Sequence, residues 1–146
     1  MCQQGASALN LIVRDFPLER VKVLVVWEPI LPTDIEPPSN RELARVSDRR
    51  AAQFWDRNRQ VSRAISRPIV AHGPDSWYHY RLRGETLWDT VAVYKAGILW
   101  GEDAPLPSYT GGPVVDETSA LRKALREAIE HPILYDVKPA NMGLSQ

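Results

Sequence analysis

The chain has 146 residues, 44% hydrophobic and 25% charged, with 18 basic and 18 acidic side chains. That length fits one domain with a real core, and a formal net charge of zero supplies no overall field to draw in nucleic acid or an anionic membrane. No apolar run approaches a membrane span, the start shows no basic stretch leading into an apolar one, and the single cysteine excludes an internal disulfide and fits a reducing cytoplasm.

The pattern predicts one domain over residues 1–136 and a loose tail over 137–146, because little beyond Asp136 can pack. The first element is an amphipathic helix over residues 3–16. Ala6, Leu9, Val13 and Phe16 recur at helical spacing, and Pro17 closes the element. Residues 21–27 form a nearly continuous apolar run rich in valine, which fits a central strand covered on both faces. Pro29 and Pro32 end it, and a proline-rich loop runs on through Pro38.

Ser39-Asn40-Arg41-Glu42 has the form of a capping box, so a short helix is expected from there to Val46. Residues 51–56 read as a short edge strand ended by Asp56. A helix over 57–66 follows, with Val61 and Ile65 inward and Pro68 as its stop. Residues 69–86 are polar and irregular, with a turn at His72-Gly73-Pro74-Asp75. A second strand spans 88–94 beside the first, and Ala96-Gly97 turns it into a short partner over 98–100. Residues 101–113 form a loop with three prolines. A last helix covers 117–130, with Leu121, Leu125, Ala128 and Ile129 as its apolar stripe and Pro132 at its end.

Cys2 is the candidate catalytic residue. It stands at the head of the first helix, where aligned peptide dipoles favour the thiolate, the reactive form. A terminal cysteine is also commonly just a small apolar residue, and that reading stands beside the reactive one. His72, Asp75 and His79 carry metal-ligating atoms, but their spacing matches no established zinc or iron arrangement, so loop residues in solvent are the expectation and no metal is assigned. His131 is expected as a cation near a helix C-terminus. Residues 41–67 hold eight arginines against three acids, with Phe54 and Trp55 among them. Arginine and aromatic mixtures serve nucleic-acid binding, yet a solvated face with local ion pairs is the better account of a neutral chain. The tryptophans on or beside the strands, at 27, 55, 88 and 100, are expected in packing. Glu28 and Asp34 follow the carboxyl end of the first strand, where open α/β sheets place ligands, and form a minor candidate acid–base pair.

In order, the main elements run helix, strand, helix, strand, strand, helix. Cys2-Gln3-Gln4-Gly5-Ala6 resembles the second half of a Cys-x-x-Cys motif running into its helix. Val23-Leu24-Val25 leads into Val26-Trp27-Glu28-Pro29-Ile30-Leu31. With Asp48-Arg49-Arg50, Gln53-Phe54-Trp55-Asp56, Trp88-Asp89 and Val93-Tyr94, the chain is similar over residues 2–130 to an uncharacterised group of bacterial thioredoxin-like proteins. The resemblance implies an α/β fold, a thioredoxin-like three-layer domain with a mixed central sheet whose first strand is missing. It implies a non-classical thioredoxin-like protein with single-thiol redox activity through Cys2, or else a non-catalytic binding or interaction module on that scaffold. No cofactor is implied. The implied partner is a protein or a low-molecular-weight thiol, with neither nucleic acid nor membrane.

The departures from the pattern bear on mechanism. The strand before the cysteine and the first cysteine of the pair are absent, and Glu85-Thr86-Leu87 stands before Trp88 where the family has a proline. Dithiol exchange needs an attacking and a resolving sulfur. Three readings stay open: the true start lies upstream, redox chemistry has been lost, or Cys2 works alone with glutathione or a partner resolving it.

Overall fold

The computed structural model describes residues 3–17, 20–73 and 86–133. Within them the protein is mixed α/β. The order is α1 (Gln3–Val13), β1 (Val23–Trp27), α2 (Asn40–Leu43), β2 (Ala51–Trp55), α3 (Gln60–His72), β3 (Val91–Val93), β4 (Tyr109–Gly111) and α4 (Thr118–Glu130). The strands form two separate pairs. β1 and β2 run parallel with Val23 opposite Ala51 and Trp27 opposite Trp55, whereas β3 and β4 run antiparallel with Val91 opposite Gly111.

The main core lies where α1 and α4 meet β3 and β4. Ile12 and Phe16 pack there with Val93, Val114, Leu121 and Ala128. Ile12 and Leu121 are each only 1% exposed, so the apolar stripes read on both helices are indeed their inner faces. Leu125 and Ile129 are half-buried at the margin of the same cluster.

α1 ends at Val13 rather than at residue 16. The chain tightens there, with the Asp15 and Phe16 amides donating to the Ile12 and Val13 carbonyls. The carbonyls left open at the helix end are taken by Arg50. Its guanidinium donates to Val13 O at 2.5 Å, Phe16 O at 3.1 Å and Pro17 O at 3.2 Å, while binding Asp48 at 2.8 Å. Asn10 Oδ1, also buried, accepts the Ser47 and Asp48 amides. These contacts fix α1 to the start of β2.

The capping box is present as read. Ser39 Oγ accepts the Glu42 amide and the Glu42 carboxylate accepts the Ser39 amide, although α2 stops at Leu43, short of Val46. β2 is an edge strand ending before Asp56, as expected. α3 differs more. It begins at Gln60 and runs through Pro68 to His72. Proline removes one internal hydrogen bond, but Ile69 beyond it is 2% exposed, and burying that side chain offsets the loss.

Two strand expectations are corrected. β1 starts at Val23 rather than 21, and its paired neighbour is β2, not the segment 88–94. It is not covered on both faces, because Leu24 is 68% exposed. β3 is confined to Val91–Val93, and its partner is β4 rather than residues 98–100. The Ala96-Gly97 turn does exist, with Gly97 at φ +90, a conformation glycine adopts freely. Beyond that turn, however, the chain loops through residues 98–108 before it returns to pair. The peptide bond after β4, Gly112–Pro113, is cis. The expected tail lies outside the described residues.

Candidate functional site

A cavity of about 920 Å³ lies between the two strand pairs. β1 and β3 form its sides, while α1 and α4 contribute Leu9, Val13, Leu121 and Leu125, and α3 contributes Val61 and Ile65. The lining is mainly aliphatic because the apolar stripes of three helices and the valine-rich strands all turn toward it. This arises directly from the sequence patterning, since the same stripes that build the core also reach the cavity wall.

Polar groups meet at one end of β1. Glu28 follows the strand, and its Oε1 accepts a short hydrogen bond from the Ser62 hydroxyl on α3. Ser62 Oγ in turn accepts the Leu87 amide at 3.2 Å. Ser62 is 2% exposed, and Glu28 Oε2 is buried without a hydrogen-bond partner. Burial pushes the Glu28 carboxyl above its ordinary value, and nearby Asp56 pushes the same way. The Ser62 hydrogen bond and Arg59 and Arg63 oppose the rise.

Tyr94, just past β3, carries the second such group. Its hydroxyl is buried and unpartnered, its ring packs against Trp100 at a centroid distance of 5.3 Å, and burial pushes its pKa up to about 12.

The first turn of α1 is a third feature. Arg45 donates to Gln3 Oε1 at 2.9 Å and to Ser7 Oγ at 3.5 Å. Asp89, in the left-handed region at φ +51, sits on the other side, where a Cβ added to Gly5 would touch its carboxyl. Asp is among the residues that tolerate that conformation.

Cys2, Asp75 and His79 lie outside the described residues. His72 is exposed at the end of α3, and among the described residues no group of three His, Cys, Asp or Glu side chains could hold a metal. His131 caps the end of α4, its amide donating to Glu127 O. Glu28 and Asp34 are not brought together as a pair. Asp34 folds back on its own loop, accepting the Ile30 and Leu31 amides, which hold its carboxyl below the ordinary value against a desolvation that raises it.

The arginine-rich stretch is partly structural. Arg50 is tied up at the end of α1, Arg45 at its start, and Arg63 donates to Asn58 O. Trp27 is buried and donates to Gln53 Oε1 at 2.9 Å, while Trp100 stays half exposed. Ser62 was missed by sequence reasoning. A serine on an otherwise polar helix carries no pattern of its own, and only the fold brings it to Glu28. No helix among the described residues is long and apolar enough to cross a membrane. Comparison with known proteins finds no matching family, no matching curated protein and no matching solved structure.

Proposed function

We propose that this chain is a non-classical thioredoxin-like protein whose redox group is the single thiol of Cys2. The observation that carries the reading is the setting of the first turn of α1. The helix begins at Gln3, the residue after Cys2 in the sequence, and the first turn of a helix favours negative charge. Arg45 places a guanidinium on the same turn. Both favour a thiolate. The packing of α1 and α4 together against β3 and β4, with a parallel strand pair following α1, supports a thioredoxin-like arrangement.

The reaction that fits one thiol is exchange with a glutathione mixed disulfide. The Cys2 thiolate attacks the glutathione sulfur of a mixed disulfide between glutathione and a partner thiol, the S–S bond breaks, a Cys2–glutathione disulfide forms and the partner thiolate leaves. A second glutathione thiolate attacking the mixed disulfide at the glutathione sulfur regenerates Cys2 and releases glutathione disulfide. No second protein sulfur is required.

The test is the rate of adduct formation at pH 7, followed by intact mass. The folded chain should gain one glutathione, and faster than the same chain in denaturant with the reagent's own rate corrected. Equal rates would remove the redox reading. The second reading, a binding module on the same scaffold, is favoured by the cavity between β1 and β3 and would then stand in front.

A further inference from the structure

The first half of α3 is held to the fold by polar contacts. The buried side chains of this helix are Ser62, Ser66 and Ile69, and the one aliphatic among them lies in the last turn. Val61 and Ile65 are only half-buried. At the helix start Arg59 stands in the left-handed region at φ +55 and supplies no side-chain cap, while Asp56 Oδ2 accepts the Val61 amide. Ser62 joins this half of α3 to its surroundings. Its hydroxyl donates to Glu28 Oε1 at the end of β1 and accepts the Leu87 amide. A segment with so little buried apolar surface opens at lower cost than the whole fold.

The carboxyl at the centre of this joint is poorly suited to carry charge. Glu28 Oε2 is buried and has no hydrogen-bond partner among the described residues. In the neutral form one unpaired O–H sits there. In the ionised form a share of a full negative charge sits there instead, and an unpaired buried charge costs far more than an unpaired neutral group. The surrounding charges do not remove the difference. Asp56, after β2, repels a charge on Glu28, while Arg59 and Arg63 attract it. Arg63 donates to the Asn58 carbonyl instead of to Glu28. The acids of the other flanking segments face elsewhere. Asp34 accepts the amides of its own loop, and Asp89 lies against Gly5 in the first turn of α1.

We propose that Glu28 is the centre of a pH-operated joint: protonated, it holds the first half of α3 and Leu87 to the end of β1 through Ser62, and ionised, it lets them separate so that water reaches the carboxylate. The proton passes to solvent, and hydration supplies the partner that Oε2 lacks. The sign follows from burial, which raises the carboxyl of the closed form above the ordinary 4.5 that the open form regains. Opening is therefore hardest below 4.5 and becomes easier as pH rises through the raised value. Val61, Ile65 and Leu87 all line the cavity, so the joint sets how firmly that wall is held. The inference rests on Glu28 and Ser62 and not on Cys2, so it and the redox reading can fail separately.

The test is amide hydrogen exchange of the full chain, read at Leu87 at pH 4.5 and at pH 7 and corrected for the intrinsic rate at each pH. Protection of Leu87 should fall by at least about threefold from the lower pH to the higher. At pH 7 it should not change in low urea, the mark of a local opening, while protection of the α4 amides falls. Glu28→Gln keeps an acceptor for Ser62 and cannot ionise, so its Leu87 protection should be equal at the two pH values. Equal protection at both pH values in the parent chain, or a fall that persists in Glu28→Gln, would overturn the joint. A Leu87 amide that loses protection in urea in step with α4 would overturn it as well, because Leu87 would then open only with the whole fold.

Discussion

Ser62 donates its hydroxyl to the Glu28 carboxyl while the same oxygen accepts the Leu87 amide, so one serine joins α3, the end of β1 and the segment leading to β3. Replacing it with alanine leaves the Leu87 amide and a buried carboxyl oxygen without their partner. Ser62→Ala should cost about 1–3 kcal/mol at neutral pH, the usual penalty for orphaned buried polar groups. Denaturant unfolding checks it, and an unchanged midpoint would mean the triad is not formed.

Glu28 itself gives a pH signature. Burial raises its carboxyl above the ordinary 4.5. A raised carboxyl stabilises the fold below its unfolded value, and that contribution is lost as pH rises through the folded value. Glu28→Gln keeps an acceptor for Ser62 and removes the titration. The variant should be more stable than the parent at pH 7, with the difference shrinking as pH falls through the raised folded value toward 4.5 and levelling off below it. A variant less stable at pH 7 would show that the carboxylate is held by more than Ser62.

Arg50 predicts an effect of opposite sign. Hydrogen bonds from its guanidinium hold the Asp48 carboxyl well below the ordinary 3.8, and the two side chains are only 6% and 7% exposed. A lowered carboxyl contributes stability above its unfolded value, and the contribution is lost as pH falls through the folded one. Arg50→Ala leaves Asp48 buried without its guanidinium, keeping only the residue 50 amide and the charge of Arg14, and uncaps α1, so it should cost about 3–5 kcal/mol at pH 7. The loss should narrow below pH 3.8, where Asp48 protonates in the unfolded chain. Unfolding curves at pH 7 and pH 3 test both the size and the narrowing.

The stripe on α4 divides into two energetic classes. Leu121 is 1% exposed inside the core, whereas Leu125 is half-buried beside the cavity. Leu121→Ala should cost about 2–5 kcal/mol. Leu125→Ala should cost less, because part of its surface already meets no protein atoms. Equal losses would mean that Leu125 packs as deeply as Leu121.

What the sequence made legible was local. The Ser39–Glu42 capping box, the edge strand at Ala51–Trp55 and the inner face of α4 are each set by residues within a few positions, and each is found. Pairing was not legible. The run Val23–Trp27 shows that a strand wants cover but not which strand supplies it, and β2 rather than residues 88–94 does so. β4 is three residues long, ends in glycine and sits in a proline-rich loop, so it carries no alternating pattern to read. Pro68 was read as a stop because the benefit of burying Ile69 beyond it depends on tertiary packing. At the candidate site, Glu28 stood out by its place after a strand. Its partner Ser62 is 34 residues away and became visible only with the fold.

The pH profile of Cys2 alkylation tests the central claim most directly. A thiol one residue before α1 in the sequence, with the Arg45 guanidinium bound to the first turn of that helix, should ionise more readily than a free thiol, whose pKa is about 8.5. The account predicts a midpoint below that value, shifted upward in Arg45→Ala, which removes the guanidinium but not the helix. A midpoint at or above about 8.5 in the parent chain, unmoved by Arg45→Ala, would contradict it.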